Sequence, residues 1–429
     1  MLNKLDLSRA EKEELPRLLP RPSVDAAEPD QVVSEIIAKV RSAGDSALVQ
    51  YAEKFDGGAP KSLLVPESEI ELAWESIPSE LREALEVAAS RIRNFHQTQT
   101  RSPEITHDGG ITIESKKQPV MRAGCYVPGG RAAYPSTLLM TAIPARVAGV
   151  EEVIVCVPPD VSGTVNSATL AAARIAGVTS VYAVGGAQAI AAMAYGTETI
   201  LPVDVIVGPG NIYVATAQRQ VAGDVGVASS FAGPSEVVVI ADESASARYA
   251  AIDLIVQAEH GPDGLSWLIS WEQETIDAIL SELEAMVSVS DRKEMITATF
   301  ATGGYAVLVE GPDQAMQVVN LVAPEHLQLM VSEPRRLLDS LQNAGAVFLG
   351  NMSPASVGDY VAGPSHVLPT HGSARFAGAL TVDDFCKDMH IIALDDSALA
   401  NIGQSVVEIA EAEGLSGHAD SIRIRLEEK

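Results

Sequence analysis

EEVIVCVPPDVSGTVNSATLAAARIAGVTSVYAVGG, residues 151–186, reads as one strand–helix–strand unit. A β-branched apolar run stops at two prolines, an alanine-rich stretch follows, and a second β-branched run stops at a glycine pair. Short runs that are apolar at every position suit strands covered on both faces, as in a parallel sheet flanked by helices. The pattern continues outward. VDVIVGPGN (203–211) and SEVVVIADE (235–243) repeat the strand-then-turn signature, with AQAIAAMAYG (187–196) and a helix after Asn211 between them. LSWLISW (265–271), YAVLVE (305–310) and GAVFLG (345–350) form a second set, with helical segments expected near 274–287 and 324–343. Upstream, residues 32–55 and 81–96 space apolar side chains three and four apart, which predicts a helical layer. The expected fold is α/β, two Rossmann-like domains with parallel sheets plus small helical N- and C-terminal segments. The boundaries read as a helical segment 1–23, a first α/β domain from 24–120 and 236–378, a second from 121–235, and a helical tail 379–429.

Composition narrows the function. The chain has 429 residues, 47% of them hydrophobic, enough for more than one core. A net charge of −27 repels phosphate backbones and anionic headgroups, which excludes nucleic acid and membrane as main partners and favours a small-molecule substrate. The first 22 residues are charged and lack an apolar signal core, and TLLMTAIPARVAGV (137–150) is broken by Pro and Arg, so the expected location is cytoplasmic. Cys125, Cys156 and Cys386 form no CxxC pair, so any metal must use His, carboxylate or amide ligands. Cys125, in AGCYVPGG, is an alternative nucleophile with no evident neighbouring base, and Cys156 belongs to a core strand.

Candidate chemistry falls in three places. In VAPEHLQLM (322–330), Pro324 suits the first position of a helix, which would put Glu325 and His326 in its first turn. The helix dipole there would keep Glu325 ionised and His326 neutral, able to take a proton near pH 7. Glycine loops at strand ends offer ligand sites or simple turns; in VGPGNIYVA, Gly208 and Gly210 fit a dinucleotide fingerprint but Tyr213 takes the third glycine's place. In LIVQAEHGPDG, Gln257 and His260 are three apart at a helix end and can share an ion. Asp359 and His418 are further candidate ligands, with His366 and His371 as rivals. His96 and His107 read as structural or exposed.

AGCYVPGGRAAYPSTLLMTAIPARVAGV, VGGAQAIAAMAYGTE, VGPGNIYVA, AGPSEVVVIAD, QAEH, APEHL, GDYVAGPSHVLPT and EGLSGHADSIRIR, in this order from about Leu19 to the end, resemble the histidinol dehydrogenases. The resemblance implies an aldehyde-dehydrogenase-like arrangement of the two domains and a zinc-dependent, NAD-linked oxidation of L-histidinol to L-histidine in two steps. It implies Gln257, His260, Asp359 and His418 as zinc ligands that also meet the substrate, and Glu325 and His326 as the acid–base pair. Tyr126, Gln188 and Asn211 match NAD positions; Ser235 and Glu413, with His326, match substrate contacts. The first α/β domain would hold zinc and the catalytic residues, and the second NAD. The tail would complete the partner's site in a homodimer whose active site is shared between subunits. The chain departs from the family pattern at Gln218, Gly261, Ala355 and Ser365, where Lys, Asp, Glu and Asn are common. Two alternatives remain open: a paralogue oxidising another small polar alcohol, and a non-catalytic binding protein. A thiohemiacetal route on Cys125 is the rival mechanism.

Overall fold

The computed structural model describes residues 2–20, 27–56, 58–129, 133–228, 235–259, 261 and 264–427, the side chains of residues 27 and 28 excepted. Its strands are β1 Asn3–Asp6, β2 Glu104–Asp108, β3 Ile111–Pro119, β4 Arg122–Tyr126, β5 Glu152–Val157, β6 Ser180–Ala183 and β7 Val205–Val207. They continue as β8 Gly226–Val227, β9 Glu236–Ala241, β10 Leu265–Ser270, β11 Gly304–Leu308, β12 His326–Met330, β13 Ala346–Leu349 and β14 Cys386–Leu394. Two parallel sheets carry the α/β part: six strands in the order β1-β11-β10-β9-β12-β13, and five in the order β6-β5-β4-β7-β8.

The quoted unit folds as its sequence predicts. β5 is buried along its length apart from its first residue, because helices cover both faces of the sheet. Asn166 caps the helix Ser167–Ala176 by accepting the Ala168 N–H, a contact worth about 1 kcal/mol. Gly177, in the left-handed conformation at φ 68°, ends the helix and turns the chain into β6.

Four expectations need correction. The helical run Ala27–Phe55, broken by a kink at Gly44, does not accompany the six-stranded sheet; its Val33, Ile36, Val40 and Leu48 pack with Ile190, Met193 and Val214 on the five-stranded one. The alanines of Gly186–Tyr195 leave a low surface that accepts those larger side chains. The N-terminal segment is not simply helical: β1 adds to the edge of the six-stranded sheet, beside β11, while Leu2 and Leu7 are buried in its two cores. The tail opens with a strand, β14, antiparallel to β3, before the helices Asp396–Ala412 and Ser416–Glu427. Residues 100–120 and 386–429 thus form a compact unit of their own, apart from the unit holding both parallel sheets.

The fourth correction concerns residues 324–343. The helix Pro312–Val322 ends at Ala323, in the left-handed region at φ 51°, and Pro324 follows because it cannot continue a helix. Proline here stops one element; it does not start the next. HLQLM then forms β12, buried at every position between β9 and β13. Leu327 and Leu329 face one core, whereas Met330 faces the other. Among the described residues no helix is long and apolar enough to cross a membrane.

Candidate functional site

With the edge strand β1 set aside, each parallel sheet reverses its strand order at one point, between β4 and β7 in one and between β9 and β12 in the other. Ligands usually bind beyond the carboxyl ends of the strands at such points. The five-stranded sheet follows this rule: Tyr126 ends β4, and Gly208–Asn211 follow β7, on the walls of cavities. In the six-stranded sheet the carboxyl-end crevice is closed by its own residue. Asp242 accepts the Ser244 and Ser332 N–H groups at 2.9 and 2.8 Å. Burial opposes its charge, but these bonds hold the carboxyl below its usual range. The candidate acid–base residues gather instead at the amino ends of β9 and β12.

A cavity of ≈520 Å³ opens there, lined by Ser235, Gln257, Glu325, His326 and Asp359, together with Gly208 and Asn211 from the other sheet. The backbone of Glu236 holds the pair: its N–H donates to Glu325 Oε2 at 3.0 Å, and its carbonyl meets His326 Nδ1 at 3.1 Å. A carbonyl only accepts, so Nδ1 carries a proton, and Nε2 is the nitrogen left to exchange one with the cavity. Nε2 faces Asp359 Oδ1 at 3.4 Å, and Nδ1 is 3.6 Å from Glu325 Oε2.

With no helix here, burial and neighbouring charge replace the dipole as the controlling field. Burial pushes the Glu325 carboxyl above its usual range, against the imidazole of His326 and the hydrogen bond from Glu236. Burial disfavours imidazolium at His326, yet the carboxylates of Glu325 and Asp359 outweigh it and raise the ring to about 9. The expectation that a helix dipole lowers the proton affinity of both groups is therefore overturned: both hold protons more tightly than usual in this pocket.

Gln257 and Asp359 bring two oxygen donors to one cavity wall, a donor set compatible with a divalent ion. His260 lies outside the described residues. Glu413 and His418 belong to the smaller unit, where both are exposed. His366 is withdrawn as a rival ligand because its ring is engaged at both nitrogens: Nδ1 donates to the Asp359 carbonyl at 2.9 Å and Nε2 takes the Thr137 hydroxyl at 2.9 Å. His371 uses its backbone N–H to bind Glu236 Oε1 at 3.0 Å. His96 is fully buried, with Nδ1 on the Ile92 carbonyl, and is structural; His107 is exposed.

Beside this cavity lies a larger one of ≈760 Å³, whose wall includes Tyr126, Gln188 and Asn211; Asn211 lines both. Gln188 is 1% exposed, and neither of its amide atoms has a hydrogen-bond partner in the protein. A buried amide in that state asks for a polar ligand. The Tyr126 hydroxyl accepts the Gly186 N–H at 3.1 Å, fixing the loop after β6. Gly208 is required by close approach: a Cβ there would stand 2.1 Å from the Tyr126 carbonyl oxygen. The incomplete glycine fingerprint is explained by the helix Ile212–Val221, which is capped by Asn211 while Tyr213, 40% exposed, stands on the cavity wall.

The family model for histidinol dehydrogenase matches residues 19–426. A histidinol dehydrogenase of Parasynechococcus marenigrum is 48% identical over 396 residues, covering 92% of this chain and 90% of its own. The chain belongs to the histidinol dehydrogenase family. A crystal structure of histidinol dehydrogenase from Elizabethkingia anophelis superposes with a TM-score of 0.95 at 34% identity, covering 100% of this chain and 98% of the other. A Burkholderia cenocepacia structure assigned to the aldehyde dehydrogenases shares the fold more distantly, with a TM-score of 0.51 at 14% identity over 89% of this chain and 90% of its own.

Two of the departures from the histidinol dehydrogenase pattern have structural uses here. Gln218 is tied through Nε2 to the Gly208 carbonyl at 3.0 Å, and Ser365 Oγ donates to the Met140 carbonyl at 2.9 Å. Sequence reading missed Glu236. Its backbone holds the Glu-His pair, and its own carboxyl, 2% exposed, is pushed up to about 8 by burial and by Glu325. The available signal was an acidic residue at the start of a strand that is otherwise wholly apolar. Cys125 is fully buried, and burial pushes its thiol up to about 12, so it is a poor nucleophile. Cys125→Ala is expected to keep turnover within a few-fold of the wild type; an inactive variant with an unchanged melting curve would restore the thiohemiacetal route.

Proposed function

We propose that this oxidoreductase converts L-histidinol to L-histidine through bound histidinal, with NAD in the larger cavity and zinc in the smaller. The observation that carries the reading is the junction of the two cavities at Asn211, with His326 Nε2 facing Asp359 in the smaller one. NAD would accept a hydride in each step, and zinc, held by Gln257, His260, Asp359 and His418, would anchor the substrate's imidazole and amine. Tyr126, Gln188 and Asn211 would bind the dinucleotide; Ser235 and Glu413 would join the zinc ligands and His326 around the substrate.

His326 Nε2 removes the alcohol proton as the hydride leaves, and repeats this on the hydrated aldehyde. A cation on Asp359 would offset the negative charge that holds the ring's proton, bringing His326 toward a working base. Glu325, made more basic by burial, takes a proton from the water that adds to the aldehyde. The six-stranded sheet thus serves the chemistry and the five-stranded sheet the dinucleotide. Glu413 and His418 reach a site from the smaller unit of a second chain in a homodimer.

NADH formation from histidinol, with zinc and with chelator, is the direct test; turnover of an imidazole-free alcohol in place of histidinol would point to the paralogue instead. Chelation is further expected to leave NAD affinity unchanged, because Tyr126, Gln188 and Asn211 are distinct from the proposed zinc ligands. Calorimetry of NAD on chelated protein checks this, and a parallel loss of NAD binding would make the two sites one.

A further inference from the structure

The larger cavity contains an acidic group that the proposed contacts leave unused. If the reacting ring lies at the Asn211 end, beside His326, the remaining wall faces the adenosine half of the dinucleotide. That wall joins Val32, Ile36, Phe55, Asp56 and Asp160. Phe55 stacks on Tyr51 at 5.6 Å between ring centroids and carries the Lys54 ammonium 5.1 Å from its own centroid.

The two acids differ in what they already do. Asp160 is consumed by its own loop, accepting the Ser162 and Thr164 N–H groups at 2.8 and 3.2 Å. Asp56 stands just past the end of the helix Ala27–Phe55, and its Oδ2 is buried with no hydrogen-bond partner. Burial raises its carboxyl to about 6, so it is charged at neutral pH. An ionised oxygen without a donor is costly to bury, and a ribose diol supplies two O–H donors.

We infer that Asp56 is a specificity-determining residue for the dinucleotide: its Oδ2 accepts the 2′-hydroxyl of the adenosine ribose, and its charge rejects a 2′-phosphate. The inference rests on the reading of this cavity as the NAD site. The same pairing of a carboxylate with the ribose diol is how other α/β sheets separate NAD from NADP, although here the acid comes from a helix end upstream of the sheet.

Calorimetric titration of the full chain with NAD and with NADP tests it. Asp56→Asn should weaken NAD about tenfold, the loss of a charge-assisted hydrogen bond, while NADP binding stays the same or tightens. An Asp56→Asn variant that keeps the wild-type ratio of NAD to NADP affinity would overturn the assignment. Should that variant fail to fold by its melting curve, Asp56→Glu decides: it should weaken NAD yet still reject NADP, and unchanged NAD affinity would count against the inference. Gln188→Ala separates the two levels. If Gln188→Ala weakens NAD and Asp56→Asn does not, only the role of Asp56 falls; if neither affects NAD, the cavity is not the dinucleotide site.

Discussion

His326→Ala is expected to depress both oxidations by about 10²- to 10⁴-fold, the range for loss of a positioned general base. Its Nε2 is the ring nitrogen left to take a proton once Nδ1 is committed to the Glu236 carbonyl, and both proposed steps need an O–H proton removed at the same carbon. Glu325→Gln should behave differently. The amide oxygen can still accept the Glu236 N–H that now binds Oε2, so the strand ends stay in place while the base is lost. Oxidation of histidinol to histidinal should then survive, and oxidation of supplied histidinal should collapse, because only the second step requires hydration. Equal loss of both half-reactions would show that Glu325 does not act selectively on water.

Mixing two inactive variants should restore activity. His326→Ala and His418→Ala, unfolded and refolded together, would give mixed dimers in which one site carries both defects and the other neither, if His418 serves the partner's site. With half the dimers mixed and one of two sites repaired in each, activity should reach roughly a quarter of the wild type by that symmetry. A mixture that stays inactive despite verified mixed dimers would place His418 in its own chain's site.

The parallel sheets were legible because their strands are short β-branched runs between glycine and proline signals. β12 was not. HLQLM is five buried residues behind a proline, and proline is as much at home after a helix as at the start of one; the decisive Ala323 conformation belongs to the backbone and leaves no mark in composition. The same misreading assigned the Glu-His pair to a helix dipole, when pairing with β9 positions it and burial and neighbouring charge set its field. The candidate site residues came from motifs, and spacing alone could not have joined Ser235, Gln257, Glu325 and Asp359 on one cavity wall. Asp56 and Glu236 escaped because a single acid in a helix or strand looks like ordinary surface until its burial is known. The partner sheet of residues 27–97 was equally hidden, since an amphipathic face specifies burial and not against what.

β1 has a consequence for the order of assembly on the ribosome. Asn3 pairs with Tyr305, so the first strand to be made must wait for one of the last strands of its sheet. At about 5–20 residues per second, that interval is on the order of 15–60 s. The helices of 27–97 and all five strands of the other sheet emerge meanwhile and can consolidate without it. The leading segment is then tethered to an already folded body when β11 arrives, which shortens the search for its partner compared with a fully unfolded chain. Refolding from denaturant lacks that ordering, and should therefore be slower and more prone to aggregation than synthesis, with the open edge of β11 as the exposed surface.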